Sequence, residues 1–290
     1  MNHQTRAKWM MAGSMAIFGT VGAFVRHIPL SSSEIALWRA VLATALIGGF
    51  LLITRRRIPF HAIRKQLPLL LLSGMALGLN WILLFEAYKH TSVSAVALSY
   101  YFAPVIVTLV CPLLFREKMG VKQWLCFIMS TAGIVLITGL DSIGSGSRHH
   151  IGILFGLGAA VLYAAVMLLN KLIRGVDGIH RTFLQFLAAI LTLIPYVALT
   201  GGIHLGTMDG GGWGCLLTVG LVHTGVTYCL YFTSLKELPG QKAAILSYID
   251  PLVAILVSVL LLHERMTPWQ ILGGLLILGS TCWNEISSPK

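Results

Sequence analysis

A 23-residue pattern occurs twice in this chain, 147 residues apart. Ala97 to Met119 reads ALSYYFAPVIVTLVCPLLFREKM, and Ala244 to Met266 reads AILSYIDPLVAILVSVLLLHERM. Nine of the 23 positions are identical, among them Tyr101 with Tyr248, Pro104 with Pro251 and Glu117 with Glu264. In each copy the proline stands 13 residues before the glutamate. A repeat at half the chain length points to two homologous halves, not to a short-period solenoid.

The segments around the repeat are apolar enough to decide the solvent. Of 290 residues 56% are hydrophobic and 11% charged, whereas a soluble domain carries about 25% charged residues. Such a chain cannot cover its surface with polar groups, so most of that surface faces lipid. A spanning helix needs about 20 mainly apolar residues. Ten segments qualify, near 9–27, 33–53, 67–88, 93–115, 120–140, 150–170, 180–200, 211–234, 241–262 and 267–286. The first has the basic start of a signal peptide, Arg6 and Lys8, but no convincing cleavage site follows. It reads as the first spanning helix.

Charge placement sets the orientation. With the N-terminus in the cytoplasm, sixteen of the 21 lysines and arginines fall on the cytoplasmic side. Four fall on the other, Arg26, Lys89, Arg148 and Arg265, and Arg39 lies inside a helix. The expectation is an all-α polytopic membrane protein with ten transmembrane helices and both termini cytoplasmic. Five helices per half is an odd number, so the halves insert with opposite sense as inverted repeats. The expected units are residues 1–140 and 150–290, joined by a polar, Gly/Ser-rich loop at 141–149. The net charge of +11 anchors loops at an anionic leaflet and calls for no nucleic acid.

Polar residues inside a membrane are costly and rarely idle. The third segment carries Asn80 and Glu86, the fourth Tyr100 and Tyr101, and the sixth Tyr163. On the eighth, His223, Thr227 and Tyr231 recur every four residues, which predicts one interior stripe. Proline leaves the carbonyl four residues earlier without its donor. Pro104 and Pro251 therefore free the Tyr100 and Ser247 carbonyls, either to bind a ligand or to accept a side chain. Simple bending of the two helices is the alternative. Asp250 and Arg39 could each hold one charged end of a zwitterion, or could pair structurally with Glu34, Glu86 or each other. For Arg39 the structural pairing is the favoured expectation. Trp38, Trp81 and Tyr163 could stack on a ligand or serve in packing and interfacial anchoring. Glu117 and Glu264, beside Arg116, Lys118, His263 and Arg265, read as capping and charge-pairing groups.

Gly74 with Gly78, and Gly152 with Gly156, Ala160 and Ala164, form small-residue stripes suited to close helix packing. The five cysteines, Cys111, Cys126, Cys215, Cys229 and Cys282, lie in apolar stretches without CxxC spacing and read as filler. His263-Glu264 does not continue into HExxH, and neither GxGxxG nor GxxxxGK[ST] occurs. The chain is expected not to be an enzyme and to need neither metal nor cofactor.

These residues resemble the EamA-type family of the drug/metabolite transporter superfamily. The resemblance is carried by FGTVGAFV on the first helix, ALWRAVLA with Arg39 on the second, and LNWILLFEAYKHTSVSAVALSYYFAP across the third and fourth. Pro104…Glu117-Lys118 and Pro251…Glu264-Arg265 complete it, and the resemblance covers nearly all of 9–286. The resemblance implies a carrier of small metabolites in a bacterial plasma membrane, commonly an exporter of amino acids or related compounds. It also implies a central cavity lined by the first, third, fourth, sixth, eighth and ninth helices.

The expected site residues are Asn80, Glu86, Tyr100, Tyr101, Tyr163, His223, Thr227, Tyr248 and Asp250, with hinges at Pro104 and Pro251. Asp250 departs from the first repeat, which has Ala103 there. The expected function is secondary transport by alternating access, with a small-molecule substrate, a lipid surround and protons as a candidate coupling ion. Two rivals are a membrane-embedded enzyme acting on lipid, which needs His223, Glu86 and Asp250 gathered, and a non-transporting bundle, which needs a solid centre.

Overall fold

The computed structural model describes residues 3–55, 60–115, 120–138, 148–238 and 246–286. Glu117 with its neighbours Arg116 and Lys118, and the connecting loop up to Ser147, lie outside the described residues. So does Lys242, and so does the side chain of Cys111. Every described element is helical.

In chain order the α-helices are α1 (His3–Gly19), α2 (Val21–Val25), α3 (Ser32–Ile53), α4 (Phe60–His90), α5 (Val93–Tyr100), α6 (Ala103–Phe115), α7 (Val121–Thr138), α8 (Arg148–Leu172) and α9 (Gly178–Thr200). After these come α10 (Gly210–Leu217), α11 (Thr227–Glu237), α12 (Ile249–Leu256) and α13 (Pro268–Ile286). A π-helical segment, Thr218–Val226, joins α10 to α11, and a second one, Val257–Leu261, extends α12. Among the described residues seven stretches are long and apolar enough to cross a membrane, including α1–α2 and α5–α6 each taken as one span. Shorter apolar helices cover Val121–Ile137 and Ile249–Leu261.

Local chemistry sets several boundaries. Ser31 begins α3 through a reciprocal capping box. Its hydroxyl accepts from the Glu34 N–H at 3.2 Å, and Glu34 accepts from the Ser31 N–H at 3.1 Å. Ser92 caps α5 by accepting from the Ala95 N–H at 3.2 Å. The α5–α6 span breaks at Tyr101 and Phe102. There the Phe102 N–H bonds three residues back to Ser99 O, and the next turn starts from Phe102 O. Pro104 sits just inside α6, where its missing N–H forfeits no ladder bond.

The π segment on α10–α11 has its own supports. His223, Thr224 and Thr227 each bond a carbonyl five residues back: Thr218 O at 3.2 Å, Val219 O at 2.7 Å and Val222 O at 2.7 Å. Gly220 and Gly225 lie against Leu42 and Leu46 of α3. This lets the widened helix sit close to its neighbour.

Both small-residue stripes work in packing. Gly152 and Gly156 of α8 abut Thr91 and Ser99, and Gly74 and Gly78 of α4 abut Gln185, Ala188 and Ala189 of α9. A third close approach was not foreseen. Gly133 of α7 and Gly273 of α13 each bring the other's carbonyl to where a Cβ would stand, and Ser130 bonds Ser280 at 2.6 Å in the same seam. Outward-facing residues are apolar, with Leu199 86%, Leu52 81%, Val121 78% and Leu261 70% exposed. Water would penalise such a surface; lipid does not.

Candidate functional site

The centre of the bundle is hollow. Two lobes, of about 100 and 190 Å³, share Phe18, Tyr100, Tyr101, Tyr163, Tyr228 and Asp250 in their walls and so meet across these residues. One lobe adds Gly19, Arg39, Trp81, Tyr88 and Pro251; the other adds Met15, Pro104, Met167, Tyr231 and Ser247. The walls therefore come from α1, α3, α4, the α5–α6 break, α8, α11 and α12. A solid centre, which a non-transporting bundle requires, is not what this chain has.

Aromatic rings build the wall. Tyr100 and Tyr163 lie 5.2 Å apart at 30°, and Phe18 meets Tyr228 edge-on at 5.2 Å. Behind them, Asn80 fixes Tyr100. Asn80 is fully buried, donates to Ala159 O at 2.6 Å and accepts from the Tyr100 hydroxyl at 3.5 Å. The repeat-related Tyr101 and Tyr248 face each other with ring centroids 5.8 Å apart. The Tyr101 hydroxyl donates to Ser247 O, the carbonyl that Pro251 leaves without a donor. Of the two uses foreseen for that carbonyl, it has the side chain.

Two charged groups line this wall without a counterion among the described residues. No described side chain hydrogen-bonds or ion-pairs with the Asp250 carboxylate. Arg39, 4% exposed, donates from Nε to Thr224 Oγ1 at 2.6 Å and lies over the Trp81 ring at 4.6 Å. The structural ion pair favoured for Arg39 is not formed among the described residues. Glu34 is taken by Ser31 and by the His204 N–H at 2.6 Å. Glu86 is taken by Ser32 at 2.6 Å, Lys89 at 3.4 Å and His90 at 3.3 Å.

The remaining expected site residues lie off the wall. Glu86 sits near the end of α4 with those three partners. His223 is bonded through Nε2 to Thr20 at 2.7 Å and is covered by Phe24. Thr227 is fully buried on its own π-helical carbonyl. Glu86, His223 and Asp250 share no hydrogen bond or ion pair, so the cluster required by a lipid-acting enzyme is not assembled. Tyr228 and Phe18, which line both lobes, were missed. Tyr228 stands beside Thr227 and Phe18 opens the first-helix run FGTVGAFV, but an aromatic ring in an apolar segment is as compatible with packing or lipid contact as with a cavity wall.

A compact polar knot lies against Tyr88 of the cavity wall. Arg26 donates to Glu264, to Thr91 O and, from Nε at 3.2 Å, to Tyr88 O. Glu264 also accepts from the Val93 N–H at 2.9 Å, at the start of α5, and from Ser258. Its capping and pairing are thus long-range, not with His263 or Arg265 beside it. Tyr88 stands in the wall of the cavity on one side and of an outer depression with Arg26 and Lys89 on the other.

The EamA-like transporter family model matches twice, over residues 5–139 and 150–284. The chain belongs to the EamA-like transporter family. Among relatives of this EamA-family chain is the uncharacterized transporter YxxF of Bacillus subtilis (strain 168), 32% identical over 273 residues, covering 92% of this chain and 85% of that one. An uncharacterized transporter of Archaeoglobus fulgidus is 29% identical over 278 residues, covering 94% of each. One crystal structure superposes with a TM-score of 0.67 at 15% identity, covering 95% of both chains; at that identity the likeness is one of fold. Family membership and the seven long apolar stretches make this a multi-pass transporter protein of the cell membrane.

Proposed function

We propose that this EamA-family chain is a secondary carrier that exports a small metabolite, an amino acid or a related compound, by alternating access. The observation that carries the reading is the cavity itself. Helices of both halves build it, tyrosines line it, and it holds an unpaired carboxylate that an ammonium group would satisfy. Empty, Asp250 is a desolvated acid with no side-chain partner among the described residues; occupied, it has one.

The architecture that serves this is ten spans in two inverted halves, residues 1–140 and 150–290. Taking α1–α2, α5–α6 and the π-extended helices as single spans gives five per half. The double family match supports the division. The lysine and arginine distribution supports cytoplasmic termini. In that orientation the Arg26–Glu264 knot closes the outer end, and the Met15, Met167 and Tyr231 lobe points to the cytoplasm, as an exporter needs for loading. The halves rock about the interrupted segments at Pro104 and Pro251, exchanging which end is closed. Asp250 is the group through which protons couple, since a carboxylate that holds either a proton or an ammonium exchanges one for the other.

Purified protein in liposomes tests the reading. Preloaded L-phenylalanine or L-leucine should drive counterflow of the labelled amino acid, and an imposed pH gradient should change net flux. Flat counterflow across the proteinogenic amino acids would remove that substrate class.

A further inference from the structure

We infer that Arg39 is the anion pole of the cavity, gripping a carboxylate of the transported molecule while Asp250 holds its cationic end. The inference rests on the carrier reading and names how that site selects.

A guanidinium has five N–H donors in a planar fork. Here one, on Nε, is spent on Thr224. The Trp81 face at 4.6 Å and the Phe85 face at 5.4 Å hold the plane without using any donor. The four donors on Nη1 and Nη2 make no hydrogen bond to a described residue. An arginine at membrane depth without a counterion faces either a partner or a water-filled space, and Arg39 is in the cavity wall. The fork is the geometry that takes a carboxylate through two parallel bonds. Among the described residues, Glu34, Glu86 and Glu264 are engaged elsewhere and Asp250 stands apart.

The support is built from two directions. Thr224 belongs to the π segment, and its hydroxyl passes the load on to Val219 O at 2.7 Å. Trp81 is in turn pinned edge-on by Phe186 at 5.3 Å. The guanidinium is therefore oriented before any ligand arrives. A cavity with one fixed cation and one fixed anion suits a net-neutral ligand that carries both charges, and it disfavours a simple amine or a simple acid. Each of those leaves one pole buried and unmatched.

The test uses the full-length protein in lipid nanodiscs and direct binding calorimetry. The probes form two isosteric sets: L-phenylalanine, phenethylamine and 3-phenylpropionate; L-leucine, isoamylamine and 4-methylpentanoate. In wild type at least one amino acid should bind tenfold or more tightly than both of its single-charge analogues. Arg39→Gln should shrink the amino-acid-over-amine ratio to within threefold while leaving the amine's affinity in place. Arg39→Lys, which keeps the charge and loses the fork, should fall between, as should Thr224→Val. Both also serve if Arg39→Gln does not fold.

An amine that binds wild type as tightly as its parent amino acid overturns the inference, as does failure of all six probes to bind. So does an Arg39 variant that weakens all probes equally, which is the signature of a structural role. Selective binding without flux in liposomes would instead sink the carrier reading and leave the anion pole standing.

Discussion

Arg26 and Glu264, 238 residues apart in sequence, form an ion pair that ties the end of α2 to the far end of the second repeat copy. The pair does more than neutralise charge. Arg26 gathers the carbonyls of Tyr88 and Thr91 at the α4–α5 corner, while Glu264 takes the free N–H of Val93 on the other side of that corner. Three chain segments meet on two side chains, beside Tyr88, which lines both the cavity and the depression.

Glu264→Gln should therefore loosen that end. The substitution keeps size and one acceptor but removes the charge from several hydrogen bonds, each worth roughly 1.5–3 kcal/mol when a charged group takes part. Losing about 1.4 kcal/mol from the closed state is a tenfold population shift. A cysteine placed at Ala97 of the cavity wall, in a background without native cysteines, should then react with an impermeant maleimide about tenfold faster from outside. An unchanged rate would mean that the knot is not what closes this end.

Gly19 should tolerate no side chain. It is in the cavity wall where α1 crosses the start of α12, and a Cβ there would stand 2.5 Å from Asp250 O and 2.7 Å from Val253 Cβ. Gly19→Ala should destabilise by about 1–3 kcal/mol, the usual cost of overpacking. Gly13, on the same helix, has nothing within 4 Å of a Cβ. Gly13→Ala should be neutral or stabilising by up to ~1 kcal/mol through helix propensity. Thermal unfolding in detergent compares them, and the two variants should move in opposite directions or at least differ clearly in size.

Tyr101→Phe should remove the hydroxyl that donates to Ser247 O. Losing an intramolecular hydrogen bond costs roughly 0.5–1.5 kcal/mol, so the variant should melt lower than wild type by a margin that Tyr163→Phe does not reproduce. Equal melting of the two variants would show that water or another group takes over the carbonyl.

The helical plan and half of the cavity wall were legible in the sequence for the same reason. Tyr100, Tyr101, Tyr163 and Asp250 are polar in apolar surroundings, and lipid forces such groups inward. What the rule cannot tell is whether an inward polar group is spent on a neighbour. Glu86 has Ser32, Lys89 and His90; His223 has Thr20; those partners depend on tertiary approach and leave no mark in one-dimensional spacing. The stripe of His223, Thr227 and Tyr231 assumed an α-helical period throughout. Nine residues of π-helix turn more slowly, so the phase downstream shifts, and Tyr228 rather than Thr227 joins the wall. Arg39 was expected to be neutralised because buried charges usually are. Of the carboxylates that could have done so, Glu34 and Glu86 are held by closer partners and Asp250 stands apart.

Asp250 yields the sharpest prediction. If one carboxylate alternately holds a proton and the ammonium of the substrate, then binding must displace the proton. Adding a saturating amino acid substrate to wild-type protein in weakly buffered detergent should release protons in proportion to the sites filled, most clearly at the acidic end of the working range, where more of the carboxyls begin protonated. Asp250→Asn keeps the shape and cannot ionise. It should bind at least tenfold more weakly, since a charge-assisted bond of roughly 1.5–3 kcal/mol is lost, and whatever binding persists at higher ligand concentration should release no protons. Proton release that survives in Asp250→Asn would move the coupling to another group, whereas tight binding with no release in wild type would detach substrate recognition from protons altogether.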